Sequence, residues 1–181
     1  MTRFVALLRG VNVGTANRVP MAGLRALLSG LGYTEVATLL NSGNAAFSAV
    51  GGSSARHARA IAAALVEQLG VDVPVIVKSG GELAAIVAAN PTAIEAPDRS
   101  RFLVAFAQDA KSLATLAAVA PLVAPAERFA VGSGAAYLFC APGILESKAG
   151  SALLGKPGRS ATTRNWATVL KLHALVMAHD G

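Results

Sequence analysis

The feature that most constrains the fold is the order in which the hydrophobic periodicity changes over residues 3–78. Phe4 to Leu8 is an uninterrupted apolar run, the pattern of a buried strand, and it leads straight into Arg9, Gly10, Asn12 and Gly14. Pro20 then stands where a first helical turn tolerates it. Met21, Leu24, Leu28 and Leu31 recur at three and four residues, which predicts an amphipathic helix ended by Gly30 and Gly32. Val36 to Leu40 predicts a short strand, Asn41-Ser42-Gly43-Asn44 a turn with Gly43 and Asn44 at positive φ, and Ala45 to Phe47 the returning strand. Gly51 to Ser54 supplies a loop and an N-cap, after which Ile61, Leu65 and Leu69 share one helical face and Gly70 ends the helix. Val73 to Val77 is a further strand, placed at a sheet edge because Pro74 cannot donate to a ladder.

Strand, helix, strand, strand, helix, strand is the order of the split βαβ, or ferredoxin-like, plait. The second half repeats it loosely. Ser79 or Gly80 caps a short helix carrying Leu83, Ile86 and Val87, and Asn90 to Asp98 reads as a connector. Phe102 to Ala107 alternates as a strand, Ser112 to Ala120 is a helix closed by Pro121, and Arg128–Val131 with Ala135–Cys140 forms a hairpin around Gly132-Ser133-Gly134. Helical sequence follows from about Leu145 to Leu154 and again from about Thr163 to Ala178. The expected fold is α+β, with two tandem ferredoxin-like (alpha-beta plait) subdomains at residues 1–79 and 80–181. The second is degenerate, its final strand replaced by helix.

Composition narrows the function classes. The formal charge is +6, mostly from dispersed Arg, which favours anionic partners over cationic ones. A single cysteine, Cys140, cannot form an internal disulfide, and no Cys/His cluster has metal-ligand spacing, so neither a metal nor another cofactor is expected. The apolar stretch from Leu113 to Ala126 is broken by Pro121 and Pro125 and is too short to span a bilayer. A cytoplasmic protein without membrane partners is expected, and a homodimer formed through a sheet face is one option.

Several stretches together carry a resemblance. They are Leu8-Arg9-Gly10-Val11-Asn12-Val13-Gly14, Met21-Ala22-Gly23-Leu24-Arg25, Leu31-Gly32, Val36-Ala37-Thr38 leading to Ser42-Gly43-Asn44 and Phe47, and Thr162-Thr163-Arg164-Asn165-Trp166 with Thr168-Val169 and Lys171-Leu172. In this order and over nearly the whole chain they resemble the bacterial proteins of domain-of-unknown-function family 1697. The resemblance implies two ferredoxin-like plaits in tandem and no established activity. Thr15 departs from the pattern, standing where the family commonly carries a second glycine.

Three motifs could carry chemistry. In the first, Arg9 forks onto a phosphate or carboxylate while Asn12, Gly14 and loop amides complete the grip. Its spacing matches neither a dinucleotide fingerprint nor a phosphate-binding P-loop. In the second, Ser42 and Asn44 form a possible further site, although no histidine or acid in the motif activates the serine. In the third, Thr162, Thr163, Arg164 and Asn165 open the last helix, where a Thr cap, the helix dipole and a guanidinium favour an anion. Trp166 and His173 are read as core residues of that helix, the histidine with its hydrogen bonds satisfied. The leading expectation is a small anionic ligand held by the 9–14 loop together with the 162–166 helix start. The loop after the first strand and the 41–44 turn are expected at opposite ends of the sheet, about 17–20 Å apart, and so unable to share one ligand. RNA or single-stranded nucleic-acid binding on a plait sheet is an alternative, weakened by the few aromatics in the strands. An enzyme acting on a phosphorylated substrate without an acid/base pair is another.

Overall fold

The computed structural model describes residues 1–91 and 99–178. Most of the expected 90–98 connector, together with His179, lies outside them. The chain divides into two compact units, one comprising Met1–Leu83 with the end of the last helix from Leu172, the other Ala84–Lys171.

In the first unit the elements are β1 (Thr2–Leu8), α1 (Met21–Gly30), β2 (Thr34–Leu39), β3 (Asn44–Ala49), α2 (Ser54–Leu69), β4 (Val75–Ser79) and the start of α3 (Gly80–Ala88). The sheet is antiparallel throughout, in the order β2-β3-β1-β4. β4 is therefore an edge strand, as Pro74 at its threshold requires. Period-2 alternation sends Phe4, Ala6 and Leu8 of β1 and Ala45, Phe47 and Ala49 of β3 to one face, where they pack with Leu24, Leu27 and Leu28 of α1 and Ile61 and Leu65 of α2. The helix boundaries follow their caps. The Ser53 hydroxyl accepts from the Arg56 amide at the start of α2, and Gly70 ends it in the left-handed conformation. Ser79 and Glu82 form a reciprocal capping box on α3, each side chain accepting from the other's amide.

The second unit holds β5 (Phe102–Ala107), α4 (Ala110–Thr115) running into a 3-10 turn (Leu116–Leu122), β6 (Arg128–Val131), β7 (Ala135–Phe139), α5 (Lys148–Leu154), β8 (Ala161–Asn165) and the first half of α6 (Trp166–Met177). Its antiparallel sheet runs β6-β7-β5-β8. This corrects the sequence expectation at the end of the chain. The final strand is present rather than replaced by helix, and residues 162–165 belong to it, with Phe106 opposite Thr162, Ala105 opposite Thr163 and Val104 opposite Arg164. β-branched Thr162 and Thr163 suit a pleated strand. The cap lies later than expected, since the Asn165 side-chain oxygen accepts from the Thr168 amide and helix begins at Trp166. Trp166 is half-buried, and the face of α6 that is fully buried carries Val169, Leu172 and Val176. His173 also departs from expectation: among the described residues its buried Nε2 has no hydrogen-bond partner.

Candidate functional site

β1 ends at Leu8, and the chain then makes a tight excursion before α1. Positive φ at Gly10, Asn12, Gly14 and Asn17 bends it repeatedly, while Thr15 stays outside that region and is unstrained. Asn12 ties the loop together. Its Nδ2 donates to the carbonyl oxygens of Val19 (2.8 Å) and Asn41 (2.7 Å), and its Oδ1 accepts from the Val19 amide (2.9 Å). The Asn12 amide donates to the Asn17 carbonyl at 3.1 Å, and the Asn17 side chain donates back to the Gly10 carbonyl at 3.3 Å. These bonds hold Gly10, Val13 and Gly14 in fixed positions although all three are exposed.

The same bonds reverse an expectation about geometry. Arg9 and Asn12 do not lie at the opposite end of the sheet from Ser42 and Asn44. β1 and β3 are antiparallel neighbours with Leu7 opposite Asn44, so the end of β1 and the turn before β3 fall at one end. The Leu8 amide donates to the Gly43 carbonyl at 2.8 Å, and the Arg9 amide to the Pro74 carbonyl at 3.0 Å. Gly43, at φ +83°, is obligatory here: a Cβ would come within 2.6 Å of Val11 Cγ2 and 2.8 Å of Leu8 Cβ. The turn's other positive-φ residue is Leu40 rather than Asn44. Asn44 starts the extended strand, fully buried, and donates to the Leu39 carbonyl and the Ser42 hydroxyl, both at 3.0 Å. Ser42 and Asn44 thus shape the turn.

Arg9 is half-buried, and burial lowers its pKa from the usual arginine value. Beyond the loop, α1 begins at Pro20 without a side-chain cap and without an acid in its first turn. Its first amides therefore keep the partial positive charge of a helix start, and exposed Arg18 adds a full one.

The second unit places its motif differently. Thr162 is buried, and the Arg164 guanidinium, only 9% exposed, donates from one nitrogen to Thr162 Oγ1 (2.7 Å) and the Thr163 carbonyl (2.9 Å). Burial pushes Arg164 down to about 10, which leaves it protonated at neutral pH. Thr163 Oγ1 is buried without a partner among the described residues.

One group of residues escaped the reading of motifs. Tyr33, Phe47, Phe4 and His57 cluster at the far end of the first sheet, with Tyr33 stacked on Phe47 (4.3 Å between centroids) and His57 edge-on to Phe4 (4.6 Å). Of the four, Tyr33 and His57 border a cavity of about 340 Å³. The only signals in the sequence were Gly32 before Tyr33 and Gly51-Gly52 before α2. Among the described residues no cluster of His, Cys, Asp or Glu could hold a metal ion, and no helix is long and apolar enough to cross a membrane.

No curated protein matches the chain. Among solved structures it is similar to the conserved bacterial protein SP0830 from Streptococcus pneumoniae, at 26% identity and a TM-score of 0.81, with 97% of this chain and 98% of that one covered. A family model described as "Protein of unknown function (DUF1697)" matches residues 1–137, which takes in the Arg9–Gly14 loop, the 41–44 turn and the Tyr33–His57 cluster. The chain is therefore a member of the DUF1697 family of proteins of unknown function.

Proposed function

We propose that this protein binds a small phosphate- or carboxylate-bearing ligand at the end of the first sheet, where the Arg9–Asn17 loop, the 41–44 turn and the start of α1 meet. The observation that carries this reading is the hydrogen-bonding of Asn12, which fixes an exposed glycine-containing loop against both the turn and the approach to the helix. Positive φ at Gly10, Asn12, Gly14 and Asn17, with the side-chain bonds of Asn12 and Asn17, gives an exposed loop the fixed shape that a binding loop needs. Arg9, Arg18 and the uncapped first turn of α1 make the local field positive. We take each unit to be a ferredoxin-like plait, because both sheets carry the order that a split βαβ produces. The single buried thiol, Cys140, suits a reducing compartment such as the cytoplasm.

Of the alternatives, nucleic-acid binding on a sheet finds little support. The strand residues Phe4, Phe47, Phe102, Phe106 and Tyr137 are buried and Phe129 and Phe139 are half-buried, so the strands offer bases no fully exposed ring to stack on. Titration with inorganic phosphate and AMP, followed by amide chemical shifts, tests the proposal. Shifts at Gly10, Val13, Gly14, Ala22 and Gly23, with affinity reduced tenfold or more in Arg9→Ala, are the expected result. Shifts elsewhere, or unchanged affinity in that variant, would refute it.

A further inference from the structure

We infer that the Tyr33–His57 cavity is a second, separate binding site of the first unit, built for a small aromatic carboxylate that also carries a hydrogen-bond donor. The cavity lies at the opposite end of β1 from the Arg9 loop. Its lining residue Ala49 pairs with Thr2, whereas the loop follows Leu8, so the two are about 20 Å apart at 3.3 Å per residue. At about 340 Å³ it sits at the small end of ligand pockets, sized for a single-ring molecule rather than a nucleotide.

The lining supplies three distinct chemistries. Leu31, Ala49, Val50 and Ala60 offer an apolar wall, and exposed Arg56 is the charged lining residue, with no acid among the residues that border the cavity. An anion with an apolar body fits that combination. The third chemistry is a fixed acceptor. His57 Nε2 lies 3.0 Å from the Gly51 carbonyl oxygen, which can only accept, so Nε2 carries a hydrogen. In the neutral ring Nδ1 is then the acceptor, and the Tyr33 hydroxyl donates to it at 2.9 Å. The Tyr33 oxygen is left with lone pairs and no proton to offer, so it recognises a donor on the ligand.

The geometry around His57 is maintained at a cost. Gly52 sits at φ +90°, and a Cβ there would come within 2.7 Å of His57 Nε2, so the backbone is kept bare where the imidazole turns towards Gly51. The ring is wedged edge-on against Phe4, Tyr33 and Phe47. Burial raises the pKa of the Tyr33 hydroxyl, and the charge on Arg56 partly offsets that rise, which sets the cation and the acceptor within electrostatic reach of each other.

The test uses the full chain and three probes: 4-hydroxybenzoate, benzoate and benzyl alcohol. Titrations followed by amide shifts are expected to perturb Gly32, Val50 and Gly51 with both acids, 4-hydroxybenzoate binding three- to tenfold more tightly than benzoate and benzyl alcohol most weakly. Arg56→Gln, on an exposed residue, should weaken both acids at least fivefold, and Tyr33→Phe should abolish the preference for the hydroxylated acid. Absence of shifts at millimolar acid would overturn the site. Benzyl alcohol binding as tightly as benzoate would overturn its anion selectivity, and a preference that survives in Tyr33→Phe would overturn the role of the tyrosine oxygen. Arg9→Ala should leave all three affinities unchanged, so this site and the one at the Arg9 loop fail or stand independently.

Discussion

Replacing Asn12 with alanine removes three side-chain hydrogen bonds at once, to the Val19 carbonyl, the Val19 amide and the Asn41 carbonyl. Each is worth about 1 kcal/mol net, and Val19 is fully buried, so its amide loses its acceptor where water cannot replace it. Asn12 also sits at φ +56°, a conformation asparagine tolerates and alanine does not, which adds about 1 kcal/mol. The sum is about 4 kcal/mol for Asn12→Ala and about 3 kcal/mol for Asn12→Gly, which keeps the backbone freedom but not the bonds. The assay is urea unfolding followed by amide peak intensities from Val5 and Ala45, so that the first unit is read by itself. With a slope of about 2 kcal/mol per molar urea, the alanine midpoint should fall by about 2 M and the glycine midpoint by about 1.5 M. The Leu8 amide, bonded to the adjoining turn, should exchange with solvent faster in both. A midpoint shift below about 0.5 M in Asn12→Ala would show that the three bonds do not brace the loop.

Gly43→Ala meets both a positive φ and two side-chain contacts under 3 Å, so it should destabilise the first unit by about 2–4 kcal/mol in the same assay, whereas Gly10→Ala, with open space around its Cβ, should lose only about 1 kcal/mol. Cys140 is buried and its thiol is pushed up to about 11, chiefly by burial with a contribution from Glu127. At pH 8 about one part in a thousand is then thiolate, and a thiol reagent such as DTNB should label the protein only after denaturant is added. Burial acts to raise the Glu82 carboxyl, but hydrogen bonds from Ser54 and Ser79 and the charge of Lys78 outweigh it and hold the carboxyl below the usual glutamate range. Its stabilisation is therefore complete above the unfolded glutamate pKa of about 4.3 and is lost as pH falls through the lower folded value. Glu82→Gln should flatten the loss of stability below pH 4.3, measured by urea unfolding at a series of acid pH values.

Much of the fold is legible because apolar periodicity and caps agree. Phe4–Leu8, the Leu24/Leu27/Leu28 stripe, Ser53 with Gly70, and Phe102–Ala107 each pair a hydrophobic pattern with a matching boundary residue. β8 escapes because Thr162-Thr163-Arg164-Asn165 is as suitable for a helix start as for an edge strand, and only pairing with β5 decides between them. The positions of Arg9 and Asn12 relative to the 41–44 turn follow from strand direction, which a list of elements does not contain until β1 and β3 are known to be antiparallel neighbours. Asn12 is legible as a polar residue in a glycine loop but not as its brace, since its partners Val19 and Asn41 lie 7 and 29 residues away. His57 and Tyr33 are 24 residues apart and share no motif, so their pairing is visible only in three dimensions.

Whether the loop after β1 is an anion site is read directly from an anomalous difference map of crystals soaked in tungstate, an oxyanion of phosphate shape. An anion site there gives one dominant peak within hydrogen-bonding distance of the Arg9 guanidinium and the exposed loop amides, close to the start of α1. Dominant peaks only elsewhere, with nothing above noise beside Arg9 in a soak that labels other arginines, would contradict it.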